Sequence, residues 1–346
     1  MRKFIIMIFL FIFLSIPVEA MDFTAPIPDG PAQKYIPDSS ESFAEGLWEI
    51  LKAVVSQLDP DLSEAAGICL SIVAVTVLAS TVKGISDDAA SPTELAAACM
   101  IGTVLLRSTG SLIKLGVETV TALSEYSKAL LPVLTGALAA QGGLTTSASL
   151  YTGTTAFIGI LTAMITNIVT PLIYALIAIS VAGCALESNL LKELGKFIKW
   201  MMLWLLKLSI YIFTGYISIT GVVSGTTDAA AIKATKLAMS GFVPVVGNII
   251  SDASEAVLHS ASMMKNAAGI YGIWATVAIL VGPFLKVGTH YFLLKLTSAL
   301  CGAFGGGNVV ALLRSFSSVM GYILGLIGSV SVMILIGVVC FMKGFA

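Results

Sequence analysis

Charge is what this chain most lacks. Only 11% of its residues are charged, against 57% hydrophobic, and its mean hydropathy is +0.97. One soluble core cannot hide that much apolar surface, which excludes an ordinary globular domain and makes a bilayer the expected solvent. Histidine is nearly missing. His259 and His290 are the only two, and the topology derived below puts them on opposite sides of the membrane, so they cannot share a metal. Cys69, Cys99, Cys184, Cys301 and Cys340 show no C-x-x-C spacing, which argues against a zinc site or a disulfide framework and leaves small packed hydrophobes. Gly305-Gly-Gly-Asn308 lacks the Lys-Ser/Thr of a phosphate-binding loop. With neither a metal nor a nucleophile–base constellation, an enzyme is not expected, nor is any cofactor or nucleic-acid partner.

The apolar sequence is organised in long runs. Arg2 and Lys3 precede an uninterrupted run from Phe4 to Ile16, followed by Pro17-Val-Glu-Ala20. The run is short for a span, and Val18 and Ala20 are small residues where a signal peptidase inspects them, so residues 1–20 read as a signal peptide, with an uncleaved anchor as the alternative. Residues 21–64 carry nine acids and two lysines, and read as an acidic extracytoplasmic segment. Its prolines exclude helix in the first half. From Phe43 to Leu58, apolar residues recur at helical spacing while Glu45, Glu49 and Lys52 mark another face, predicting an amphipathic helix on the membrane or on a partner.

Residues 65–346 form the expected membrane domain. Six runs have the length that a hydrocarbon core of about 30 Å requires: Ala65 to Val82, Leu95 to Ile113, Thr155 to Val181, Trp200 to Val223, Ala268 to Val287 and Val319 to Phe341. With a cleaved signal, six spans leave both termini outside. Segments 83–94, 184–199 and 286–317 are then cytoplasmic and hold seven basic residues in 60 positions, against eight in 129 for the outside segments. That is the sense of the positive-inside rule. Two apolar regions fit neither spans nor ordinary loops. Residues 115–140 predict an interfacial helix and a partial dip into the membrane. Residues 237–250, broken by Gly241, Pro244 and Gly247, predict either a re-entrant element or an amphipathic surface hairpin.

Polar groups within the spans are few. Arg107 and Lys207 lie near predicted helix ends, where long stems snorkel to headgroups. Asn167 and Pro171 mark a position where the third span could kink. The pairs Gly221-x-x-x-Gly225 and Gly321-x-x-x-Gly325 allow close helix contact. Lys192, Lys196 and Lys199 share one helix face, suited to anionic headgroups or, as a sharper hypothesis, to a docked cytoplasmic ATPase.

The segment Gly241-Phe-Val-Pro-Val-Val-Gly247, with Ser251-Asp-Ala253, Val257-Leu258 and Lys265-Asn-Ala-Ala-Gly269, resembles the stage III sporulation protein AE family of endospore-forming bacteria. Signal peptide, acidic head and apolar spans extend the resemblance over nearly the whole chain, with His259 standing where a small residue is expected. The resemblance implies a membrane component of the mother-cell-to-forespore channel, or feeding, complex. It implies a location in the mother-cell membrane surrounding the forespore. The implied partners are other stage III sporulation membrane proteins and a secretion-type ATPase, with no catalytic residues. The functionally sensitive positions are then expected at Gly241, Pro244, Gly247, Asp252, Lys265, Asn266 and Gly269. The alternative is an autonomous secondary transporter of a small solute with a broken site at Pro244. Either reading expects an all-α polytopic protein with about six spans plus amphipathic or re-entrant helices.

Overall fold

A computed structural model describes residues 25–28, 31–36, 43–85, 90–186, 189–242, 247–304 and 307–343, with the side chains of 83–84, 90–91, 185–186 and 221–259 excepted. The expected signal peptide lies outside these residues. No strand occurs among them. After a 3-10 turn at Pro31–Tyr35 come α1 (Phe43–Val55), α2 (Leu58–Ile85), α3 (Ala90–Ala140), α4 (Leu144–Met164), a π-helical turn (Ile165–Val169), α5 (Thr170–Leu186), α6 (Asn189–Phe242), α7 (Gly247–Ala303) and α8 (Gly307–Lys343). Six stretches within these helices are long and apolar enough to cross a membrane. The chain is an all-helical membrane protein.

The helices are longer than the spans expected of them. Residues 115–140 are not a separate interfacial element but the second half of the 51-residue α3. Pro132 stands inside that helix. An interior proline costs about 3 kcal/mol. Burial outweighs that cost here, because Leu123, Leu130, Leu131, Leu134 and Leu138 are all sealed within the bundle. The helix ends where the sequence turns to Gln141-Gly-Gly. The Gly142 N–H donates to the Ala139 carbonyl (2.9 Å) and the Gly143 N–H to that of Leu138 (3.2 Å), with Gly142 at φ 91°. This is a Schellman cap, which needs a residue without a Cβ in the left-handed region. Residues 237–250 are likewise no short element of their own: α6 continues to Phe242 and α7 starts at Gly247. The segments expected as loops at 184–199 and 286–317 are mostly helix, with α7 running to Ala303 and α8 starting at Gly307.

α8 is the central helix, packed by α3, α4, α5, α6 and α7. A helix apolar all round belongs inside a bundle, and Phe316, Met320, Ile327, Val330, Met333, Val338 and Phe341 are buried there. Where lipid is as apolar as the side chains, association rests on close packing and small residues. A Cβ on Gly116 would stand 2.5 Å from Ile323, one on Gly272 2.6 Å from Leu130, and one on Gly337 2.9 Å from Thr154. The Gly321/Gly325 pair serves two different neighbours within the chain, Tyr291 of α7 and Leu206 of α6. Hydroxyls close on their own helices: Thr76, Thr119, Thr276 and Ser331 each donate to the carbonyl four residues back.

α1 is the amphipathic helix expected from residue 43, and it lies on its own bundle. Ile50 and Val54 are buried, the Phe43 ring stacks on Trp274 of α7 at 6.3 Å, and Trp274 Nε1 donates to the Phe43 carbonyl at 3.3 Å.

Candidate functional site

Three short connections meet at one end of the bundle. Ser80 Oγ, near the end of α2, donates to the Phe304 carbonyl at 2.9 Å. Glu94, in the second turn of α3, accepts the Asn308 N–H at 3.0 Å, so a carboxylate faces the positive end of α8. Cys184 Sγ, near the end of α5, lies 3.6 Å from the Asn308 carbonyl. The segments assigned to the cytoplasm are thus adjacent in space, although more than 100 residues separate some of them in sequence. The expected lysine stripe is beside them on α6. Lys192 and Lys196 are exposed, Lys196 pairs with Glu193 at 2.6 Å, and Lys199 is half-buried. Directly above it, Phe197, Trp200 and Trp204 stack in a ladder with ring centroids 6.0 and 6.3 Å apart. Such a ladder beside lysines is the composition of a membrane–water interface.

The residues expected to be functionally sensitive are at the opposite end of α7. Lys265 is buried at 4% exposure, and its Nζ donates to Gln141 Oε1 at 2.8 Å, tying α7 to the α3 cap. Gly269 receives Met342 of α8; a Cβ there would overlap Met342 Cγ. Asn266, between them, is exposed. Gly241 and Gly247 are placed as helix-end positions and Asp252 as a helical one, without side-chain detail, and Pro244 lies outside the described residues. Lys265 and Gly269 are therefore packing positions at the meeting of α3, α7 and α8.

An ion pair between α7 and α2 escaped the sequence reading. Lys286 of α7 reaches Asp61 of α2, Nζ to Oδ1 2.6 Å, across 225 residues of sequence. His290, one turn on, sets Nδ1 3.0 Å from the Lys286 carbonyl. The ring borders a crevice shared with Ser108, Thr109 and Met320. Asn167 falls in the π-helical turn, where Thr170 Oγ1 donates to the Ile165 carbonyl five residues back, at 2.9 Å. The irregularity expected at Asn167 and Pro171 is thus present, but Asn167 is exposed and opens no internal cavity. Arg107 and Lys207 are exposed as well.

Long apolar helices, cationic and aromatic residues gathered at the turn end, and a helix buried at the centre define a polytopic α-helical membrane protein. The sequence pattern of the Stage III sporulation protein AE family matches residues 33–344, and the chain belongs to that family. It is 28% identical over 216 residues to the Stage III sporulation protein AE of Bacillus subtilis (strain 168), a match covering 62% of this chain and 54% of the relative. The chain thus spans about half the length of the curated relative it matches. No solved structure matches it.

Proposed function

We propose that this protein is an integral membrane component of the complex that joins mother cell and forespore during sporulation, sited in the mother-cell membrane around the forespore. The family match over residues 33–344 carries this reading. The structure is compatible with it: the family-like segment ends in tightly packed positions, Lys265 on Gln141 and Gly269 on Met342, as suits a scaffold or platform more than a moving substrate gate. Other stage III membrane proteins and a cytoplasmic secretion-type ATPase are the proposed partners.

The test has two arms. An in-frame deletion in the source bacterium should let engulfment finish and then abolish late forespore promoter activity, and the tagged protein should co-purify with other membrane proteins of the complex. Normal spores from the deletion, together with solute uptake by vesicles holding this protein alone, would instead make it an autonomous transporter.

The lysine stripe is assigned to anionic headgroups. Replacing Lys192, Lys196 and Lys199 together by Glu removes three of the cations that hold the turn end inside. The expected result is a several-fold rise in chains inserted with inverted orientation, read from a reporter fused after Lys343. Loss of ATPase co-purification with orientation unchanged would make the stripe a docking site.

A further inference from the structure

We infer that the bilayer covers only the half of the bundle bearing the three turns, and that the other half stands out of it in water. Helix length raises the question. α3, α6 and α7 run for 51, 54 and 57 residues. At about 1.5 Å per residue these are roughly 75–85 Å long, more than twice a hydrocarbon core of about 30 Å. Tilt alone does not absorb such an excess.

Packing contacts fix a common level. On α8, Gly321 faces Tyr291 of α7, Gly325 faces Leu206 of α6, and Ile323 faces Gly116 of α3. Ser209 of α6 contacts Met164 of α4 at 3.8 Å. Within about one turn of these contacts stand several polar side chains: Lys286 on α7 with its partner Asp61 on α2, Lys207 on α6, Lys114 paired with Glu118 at 3.7 Å on α3, and Asn167 in the turn after α4. The residues form a belt around α8 at the height of Gly325. That height is about 27 Å above Gly307, where the turns meet, which matches one hydrocarbon thickness.

The surfaces on the two sides of the belt differ. Between belt and turns the exposed side chains are Leu70, Leu78, Leu190, Phe292 and their neighbours. The cations in this zone, Arg107, Lys295 and Arg314, have long stems, and the last two lie near the turn end, within reach of inner headgroups. Beyond the belt the exposed surface is mixed: α3 exposes Glu125 and Lys128, α6 interleaves Tyr211, Ile212 and Ile219 with Thr214 and Ser218, and α4 interleaves Leu144, Tyr151 and Ile160 with Thr145 and Thr152. α8 is mostly sealed by protein there, with Val330, Met333, Ile334, Val338 and Phe341 buried and Val332 and Val339 exposed. The apolar runs expected as spans at 268–287 and 319–341 thus mix lipid-facing with protein-buried sequence.

Hydroxyl-radical footprinting of the full chain in lipid nanodiscs tests this. Met263 lies far beyond the belt at 63% exposure, while Leu70 and Phe292 lie between belt and turns at 72% and 66%. Leu70→Met and Phe292→Met are near-neutral exchanges at exposed sites. Met263 should oxidise at least ten-fold faster than the side chain introduced by either substitution, and the difference should vanish after denaturation. Equal rates in nanodiscs, or faster oxidation at 70 or 292, would overturn the placement.

Discussion

Gly153→Ala should cost about 2 kcal/mol of stability, although one methyl on a helix is normally a gain. A Cβ at this position would overlap the Tyr216 ring at Cε1 and Cζ. These are atoms of a rigid ring, held from other directions as well. Tyr216 Oη donates to the Ser149 carbonyl at 2.8 Å, and the ring packs on Phe157 at 5.4 Å, which itself meets Phe213 at 5.8 Å. The methyl therefore has to expel the ring from the α4–α6 contact. Overpacking of this kind costs about 1–3 kcal/mol and the lost hydrogen bond about 1, against a gain of roughly 1 in helix propensity. Thermal unfolding of the purified protein in detergent reads the effect. Tyr216→Ala in the same chain should restore part of the loss, whereas Tyr216→Phe should not, because the clash is with the ring. Gly159→Ala on the same helix, with nothing within 4 Å of its new methyl, is the matched control and should be neutral or slightly stabilising.

Gly153 also shows where sequence reading stops. The helices were legible because apolar length and periodicity are local properties. Asn167 and Pro171 marked a position where the third span could kink, and the structure has a π-helical turn at Ile165–Val169 instead. Helix ends were not. Pro132, in the region read as an interfacial helix and a partial dip, lies inside one continuous helix, because long-range packing offsets what the local sequence loses. The ladder of Phe197, Trp200 and Trp204 could have been found from its i, i+3, i+7 spacing, and is the one missed feature with a local signal. Asp61 and Lys286 gave no such signal, and neither did the roles of Gly153 and Gly116, since a glycine's neighbour is set by tertiary structure. Hydropathy also cannot separate a residue facing lipid from one facing α8, as both are apolar for different reasons.

Breaking the Asp61–Lys286 pair should be the most informative change at the belt, because its size reports the surroundings. The bond is 2.6 Å long, with the lysine side chain 38% and the aspartate 27% exposed. Lys286→Met leaves the carboxylate without its cation. In a dry interior that loss is about 3–5 kcal/mol; for a pair in water it is about 0–1. A headgroup zone lies between these limits, so the expected loss is about 1–2 kcal/mol, reduced at high salt because partly exposed charges are screened. Asp61→Asn should cost less, since the amide still accepts a hydrogen bond from the lysine, whose stem can carry the ammonium outward. Exchanging the two residues, Asp61→Lys with Lys286→Asp, should recover at least half of the single-mutant loss if the two side chains act on each other rather than on third groups. The measurement is unfolding in anionic-lipid nanodiscs at two salt concentrations. A salt-independent loss of 4 kcal/mol or more would put the pair in hydrocarbon and move the bilayer away from the turns, whereas a loss near zero would leave α2 held to α7 by apolar packing alone.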